Sequence, residues 1–144
     1  MSDPKVLYLP IKKKWFDMIA SGKKHEEYRE IKDYWARRFI YAYKADDLEP
    51  QAWDEMVNDL KNPFKRHSSV SELLNYFGIN IRCYDFIQFK NGYNKKSPEI
   101  MVEFNGIEIK RGIERWGAEK GVFYFTIHLG DIIYNYEAVK DAPA

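Results

Sequence analysis

Hydrophobic and polar positions change their rhythm along this chain, and each change predicts an element. Residues 6 to 11, Val-Leu-Tyr-Leu-Pro-Ile, form an apolar run that predicts a first strand, with Pro10 near its end, where a sheet edge tolerates the missing backbone donor. Between Lys13 and Ser21 the apolar positions Trp15, Phe16, Met18, Ile19 and Ala20 follow the helical period, and Gly22 is placed to end that helix in a left-handed turn. The stretch Lys23 to Glu30 is short, dense in charge and flanked by structure on both sides. A second helix is expected over Lys32 to Ile40, with Tyr34, Trp35 and Phe39 packed while Arg37 and Arg38 point outward.

Two further helices make a block over residues 45 to 78. Pro50 suits a first helical position, and Trp53, Met56, Val57 and Leu60 recur at amphipathic spacing before Asn62-Pro63. Ser69, with Glu72 three residues on, is a capping box ahead of Leu73, Leu74 and Phe77, and Gly78 closes that helix. From Ile79 onward the pattern is strands and tight turns. Ile81 to Lys90 reads as a strand ahead of Asn91-Gly92; Ile100, Val102 and Phe104 alternate up to Asn105-Gly106, and Ile107 and Ile109 alternate after it, a hairpin signal with a type I′ turn. A last strand places Phe123, Phe125, Ile127 and Leu129 on the core side and Tyr124, Thr126 and His128 on the other, until Gly130. The expected fold is α+β, with about five or six strands in one small curved sheet or barrel and helices at its rim.

Composition narrows the class. The chain has 144 residues, of which 45% are hydrophobic and 17% aromatic, which excludes disorder and fits one globular domain. Apolar runs fall far short of the roughly 20 residues needed to cross a bilayer, so no membrane partner is expected. Val6 to Ile11 runs into Lys12-Lys13-Lys14 instead of a cleavage site, so the expected location is cytoplasmic. Cys83 is the single cysteine, excluding an internal disulfide, and its apolar neighbours favour a buried thiol. The net charge of +1 hides a split: +5 over residues 1–44, −5 over 45–63 and +1 over 64–144. A basic first third keeps a phosphate-bearing partner open, because the local field governs capture.

The usual catalytic signatures are missing, and His25, His67 and His128 have no metal-ligand spacing, so neither a metal nor a cofactor is expected. What stands out is Gly22-Lys23-Lys24-His25-Glu26-Glu27-Tyr28-Arg29, that is, Gly-x-Lys-x-x-Glu-x-Arg. In an extended segment Glu27 and Arg29 share a face and can pair, with Lys24 swinging to the same spot. On composition alone this is a solvated charged turn. A cation beside a positioned ion pair also suits holding a phosphate, or tuning a buried lysine into a nucleophile or base.

That pattern, following the strand Leu7 to Ile11 and the helix Lys14 to Ser21, resembles the signature of the ASCH domain (activating signal cointegrator homology), a relative of the PUA domains. Tyr124-Phe125-Thr126-Ile127-His128-Leu129-Gly130 resembles the last barrel strand of that family, and Trp116-Gly117-Ala118 the turn before it. The resemblance implies a single domain over 1–144, a PUA-like β-barrel with a helical insertion at about 45–78, and a cleft beside the first helix that takes RNA or a modified nucleoside. Some family members are similar to small amidohydrolases that remove an acyl group from N4-acetylcytidine with a lysine matching Lys24 and a threonine, where Glu27 stands here. Others look like ribonucleases.

Two readings of the function follow. In the first, a basic cleft rimmed by Lys12, Lys13, Lys14, Lys24 and Arg29 binds RNA or a nucleotide, with His128 reaching it from the last strand. In the second, a small hydrolase acts on a modified nucleoside or on RNA, with Lys24 as nucleophile or base, Glu27 as its partner and Arg29 as the oxyanion or phosphate clamp. A third, blander reading is an interaction protein whose acidic helical block, Asp46 to Asp59, docks a partner or covers the cleft.

Overall fold

The computed structural model describes residues 2–44 and 46–135. The domain expected over 1–144 and the insertion expected over 45–78 therefore reach outside the described residues at Met1, Ala45 and 136–144. In chain order the elements are β1 (Val6–Pro10), α1 (Lys13–Ala20), β2 (Glu26–Glu30), α2 (Asp33–Phe39), β3 (Ile40–Ala42), α3 (Pro50–Lys61), α4 (Val70–Phe77), β4 (Ile79–Ile81), β5 (Phe86–Lys90), β6 (Glu99–Arg111) and β7 (Phe123–Asn135). A short 3-10 turn spans Glu114–Trp116. The architecture is mixed α+β, with four α-helices among the described residues. Hydrogen bonding orders the five strands β1-β5-β6-β7-β2, and β3 and β4 form a separate pair.

The described chain falls into two compact units: residues 2–27, 83–106 and 127–135, and residues 28–82 and 107–126. In the first, β1 runs parallel to β5, from Val6 opposite Phe86 to Pro10 opposite Lys90, and β5 pairs antiparallel with β6, from Phe86 opposite Glu103 to Lys90 opposite Glu99. Alternation then sorts the side chains. Leu7, Leu9, Ile87, Phe89, Ile100 and Val102 share one face and are buried. Tyr8, Pro10, Gln88, Lys90, Glu99 and Met101 occupy the other. Burying each of those aliphatic or aromatic side chains is worth about 1.5–3 kcal/mol, which fixes the register.

In the second unit the helical block packs as its periodicity predicts, with Trp53, Met56, Val57 and Leu60 buried along α3. Ser69 Oγ accepts the Glu72 amide at 3.0 Å, and Gly78 ends α4 in the left-handed region at φ +65°. The acidic stretch grips α2: Trp53 Nε1 donates to Asp33 at 2.8 Å, the Arg37 guanidinium lies 4.0 Å from the Trp53 ring centroid, and Arg37 pairs with Asp33 and Asp47 at 3.4 Å each. Arg37, expected to point outward as free positive surface, is thus neutralised within its own unit. Phe39 meets Phe125 edge to face at 5.3 Å, both without exposed surface.

The structure departs from the sequence reading at several places, beginning with Tyr34, expected to pack on the second helix but 57% exposed. Asn105-Gly106 does not turn the chain, and β6 runs through it. A type I′ turn needs positive φ at both central residues, and among the described residues only glycines have it, so Gly106 at +108° is a local bend in a continuing strand. Gly130 likewise lies inside β7, where a Cβ would come within 2.9 Å of Glu103 Cβ. The second helix stops at Phe39, because Ile40 is extended and starts β3. Ile81 to Lys90 is broken, with β4 ending at Ile81 and β5 starting at Phe86; Cys83 lies in the connection and is exposed. Finally, the face of β7 expected to look outward is covered at Tyr124 and Thr126.

Truncating Phe125 to alanine is expected to cost about 3–5 kcal/mol in urea unfolding. Removing the Ser69 cap by Ser69→Ala should cost about 1 kcal/mol.

Candidate functional site

The Gly-x-Lys-x-x-Glu-x-Arg segment is shaped by how α1 ends. Gly22 takes φ +78°, and the amides of Lys23 and Lys24 both donate to the Met18 carbonyl, at 2.9 and 3.1 Å. This reverses the chain, and β2 starts at Glu26. The Lys24 side chain is left with no exposed surface, its Nζ 3.2 Å from Glu27 Oε1 and 5.0 Å from the Trp15 ring centroid. Lys14 Nζ lies 4.6 Å from the same ring, so the Trp15 indole attracts two cations. Taking two charges out of water costs several kcal/mol per ion, and their mutual attraction offsets that only while both partners are present.

In the same unit, the Leu129 amide donates to the His25 carbonyl at 2.9 Å. His128, partly exposed, places Nδ1 3.8 Å from Glu26 Oε2, with Glu26 itself buried. Arg29 belongs to the second unit, half-buried on β2. Its Nη1 donates to the Tyr28 carbonyl at 2.9 Å, and its guanidinium lies 5.1 Å from the Trp35 ring centroid. Tyr28 is a packing residue there, its hydroxyl accepting the Ile113 amide at 2.8 Å.

The lysine run at the start of α1 divides into three roles. Lys13 is exposed and pairs with Asp17 at 2.6 Å, and Lys14 rests on Trp15. Lys12 is exposed and lines a cavity of about 360 Å³ with Lys90, Asn91 and Tyr93. A second cavity of about 390 Å³ shares Pro10, Lys90, Gly92 and Tyr93 with it and adds Tyr8, Gln88 and Glu99. The rings there face solvent: Tyr93 is 92% exposed and Tyr8 61%. Both cavities lie within the first unit.

Tyr8, Gln88, Lys90, Tyr93 and Glu99 escape the sequence reading. The alternation of residues 6–11 assigns Tyr8 to the face opposite Leu7 and Leu9, but nothing local to either strand announces that β1 pairs with β5. The loop carrying Tyr93 is firmly built. The Asn91 side chain donates to the Ile11 carbonyl at 2.9 Å, the Asn91 amide to the Pro98 carbonyl at 3.0 Å, and the Asn94 amide to Ser97 Oγ at 3.2 Å. Gly92, at φ +121°, leaves no space for a side chain, since a Cβ would fall 2.3 Å from Ser97 Oγ. Among the described residues no three His, Cys, Asp or Glu side chains are grouped to hold a metal ion.

Removing one member of the buried pair takes from the other the opposite charge at 3.2 Å. Lys24→Ala is expected to cost about 3–5 kcal/mol in chemical denaturation, whereas Lys13→Ala at the exposed Asp17 pair should cost no more than about 1 kcal/mol. The double variant Lys24→Met/Glu27→Leu should recover part of the Lys24→Ala loss, and strict additivity would show that the two charges do not depend on each other.

Comparison with protein-family models, with curated proteins and with solved structures found no match to this chain.

Proposed function

We propose that this chain is an RNA- or nucleotide-binding protein of the ASCH type, PUA-like in fold, holding its ligand in a basic cleft beside the first helix. The observation that carries the reading is the convergence of Lys12 and Lys90 with the exposed Tyr93 ring on one cavity at the start of α1. Lys12, and Lys90 shared with Glu99 at 3.4 Å, beside an unshielded aromatic ring supply the two elements that single-stranded nucleic acid binding needs, positive charge for phosphate and a stacking surface. The helix start adds to the field, because its first turn holds no acidic residue and its N-cap makes no side-chain hydrogen bond. The Gly22-x-Lys24-x-x-Glu27-x-Arg29 pattern and its place directly after strand and helix support the family reading.

The full chain should therefore bind single-stranded RNA at low salt. Lys12→Ala/Lys90→Ala should weaken binding about tenfold and flatten the slope of log K against log salt by about 1.4, two phosphate contacts' worth. Undetectable affinity at 50 mM salt, or a slope unchanged in the double variant, would overturn the proposal.

The burial of Lys24 against Glu27 favours a second reading, a hydrolase built on that lysine. A lysine held out of water beside a carboxylate is the kind of group enzymes recruit as nucleophile or base. With no exposed surface on its side chain, however, Lys24 meets a substrate only after its surroundings move, and binding is the primary reading. Incubating the full chain with N4-acetylcytidine and with a short RNA tests catalysis: deacetylation or cleavage that disappears in a folded Lys24→Arg variant supports it, and absence of product from both removes it.

A further inference from the structure

The larger cavity has a solvent-side floor with a definite polarity. Register places Lys90 directly opposite Glu99, and Gln88 on the same face two residues earlier. Gln88 Nε2 donates to Glu99 Oε2 at 3.0 Å, and Lys90 Nζ lies 3.4 Å from Glu99 Oε1. One carboxylate thus draws both an amide nitrogen and an ammonium onto itself. That fixes which atom of the Gln88 amide is nitrogen and leaves its carbonyl oxygen, with the remaining lone pairs of Glu99, as hydrogen-bond acceptors on the floor. Tyr8 and Tyr93 add two exposed aromatic rings to the same space. A volume of about 390 Å³ lies in the range of small-molecule sites.

We infer that this cavity is a single-base pocket that prefers an amino-bearing nucleobase, adenine or cytosine, over uracil. The ring stacks on Tyr93 and Tyr8, and its exocyclic amine donates to the Gln88 and Glu99 oxygens. Uracil has no exocyclic amine, so its keto oxygens can meet only the remaining N–H donors of Lys90 and Gln88 while the Gln88 and Glu99 oxygens facing the base are left unpaired, which is penalised. The adjoining cavity, which shares Lys90 and Tyr93 and contains Lys12, takes the phosphate of the same nucleotide. The inference rests on the nucleotide-binding reading and adds base selectivity to it. The hydrogen bonds of the loop at Asn91, Asn94 and Ser97 hold the backbone that carries Tyr93, so ordering on binding falls mainly on the ring itself.

The test is an NMR titration of the full chain with 5′-AMP, 5′-CMP, 5′-UMP and ribose 5-phosphate, alongside binding of oligo(A) and oligo(U) RNA. AMP and CMP should bind at least fivefold more tightly than UMP, with saturable shifts at Tyr8, Gln88 and Tyr93, and ribose 5-phosphate should bind more weakly than all three. Tyr93→Ala should weaken AMP about tenfold without changing the thermal midpoint, since the ring is almost wholly exposed. Glu99→Gln should bring AMP and UMP within twofold of each other. Equal affinity for AMP, UMP and ribose 5-phosphate in the unmodified chain, or shifts confined to other residues, would overturn the pocket. Oligo(A) and oligo(U) bound equally through Lys12 and Lys90 would sink the base selectivity and leave RNA binding standing. Mononucleotides bound selectively at Tyr93 with no RNA affinity would do the reverse.

Discussion

The parallel register of β1 against β5 is the constraint on which the first unit depends. Side chains alternate with a period of two, so one choice of register both buries Leu7, Leu9, Ile87 and Phe89 and sends Tyr8, Gln88 and Lys90 to the other side. A one-residue slip of β5 would expose Ile87 and Phe89 and bury Gln88 and Lys90, a loss of at least twice the roughly 1.5–3 kcal/mol that each apolar side chain contributes. The chemistry of the outer face is therefore set by the energetics of the inner one. Lys90 faces Glu99 because Phe89 and Ile100 must pack.

The buried Lys24–Glu27 pair obeys a different logic. Apolar burial tolerates many sequences, whereas two charges removed from water tolerate only each other and the hydrogen-bond partners around them. α1 ends, the chain reverses through Gly22, and the lysine arrives beneath Trp15 within 3.2 Å of its carboxylate. The arrangement fixes where β2 begins relative to α1, so the signature segment has a conformational role whatever ligand it serves. It also separates the basic residues of the first third into those used internally, Lys24, and those left at the surface, Lys12 among them.

Local structure is legible in the sequence wherever a short stretch contains all of the relevant physics. The Ser69 cap on the Glu72 amide, the left-handed end at Gly78 and the amphipathic face of α3 depend on residues within a turn or two of each other and appear as expected, while the Glu72 carboxylate of the capping box turns to Ser68 Oγ instead. Asn105-Gly106 misled because the dipeptide permits a turn without requiring one, and pairing with neighbouring strands held the segment extended. Cys83 misled because apolar neighbours in sequence belong to two different strands, leaving the residue between them outside both. Of the candidate site, the Lys24 and Glu27 pairing was legible from spacing. The Tyr8, Lys90 and Glu99 surface was not, since its members come from strands whose adjacency is a property of the whole topology.

That adjacency also shapes how the protein must fold. The pairing of β1 with β5 and the bonds flanking it, such as Lys5 with Asp85 and Ile11 with Asn91, tie together residues some 80 positions apart. Closing so long a loop has a large entropic cost before any contact returns it, so α3 and α4, built from neighbours in sequence, are free to form first. The N-terminal strand must wait for β5 to be made before it has anything to pair with. During synthesis on the ribosome β1 emerges some 80 residues before β5, and Leu7 and Leu9 spend that interval without the strand they pair beside.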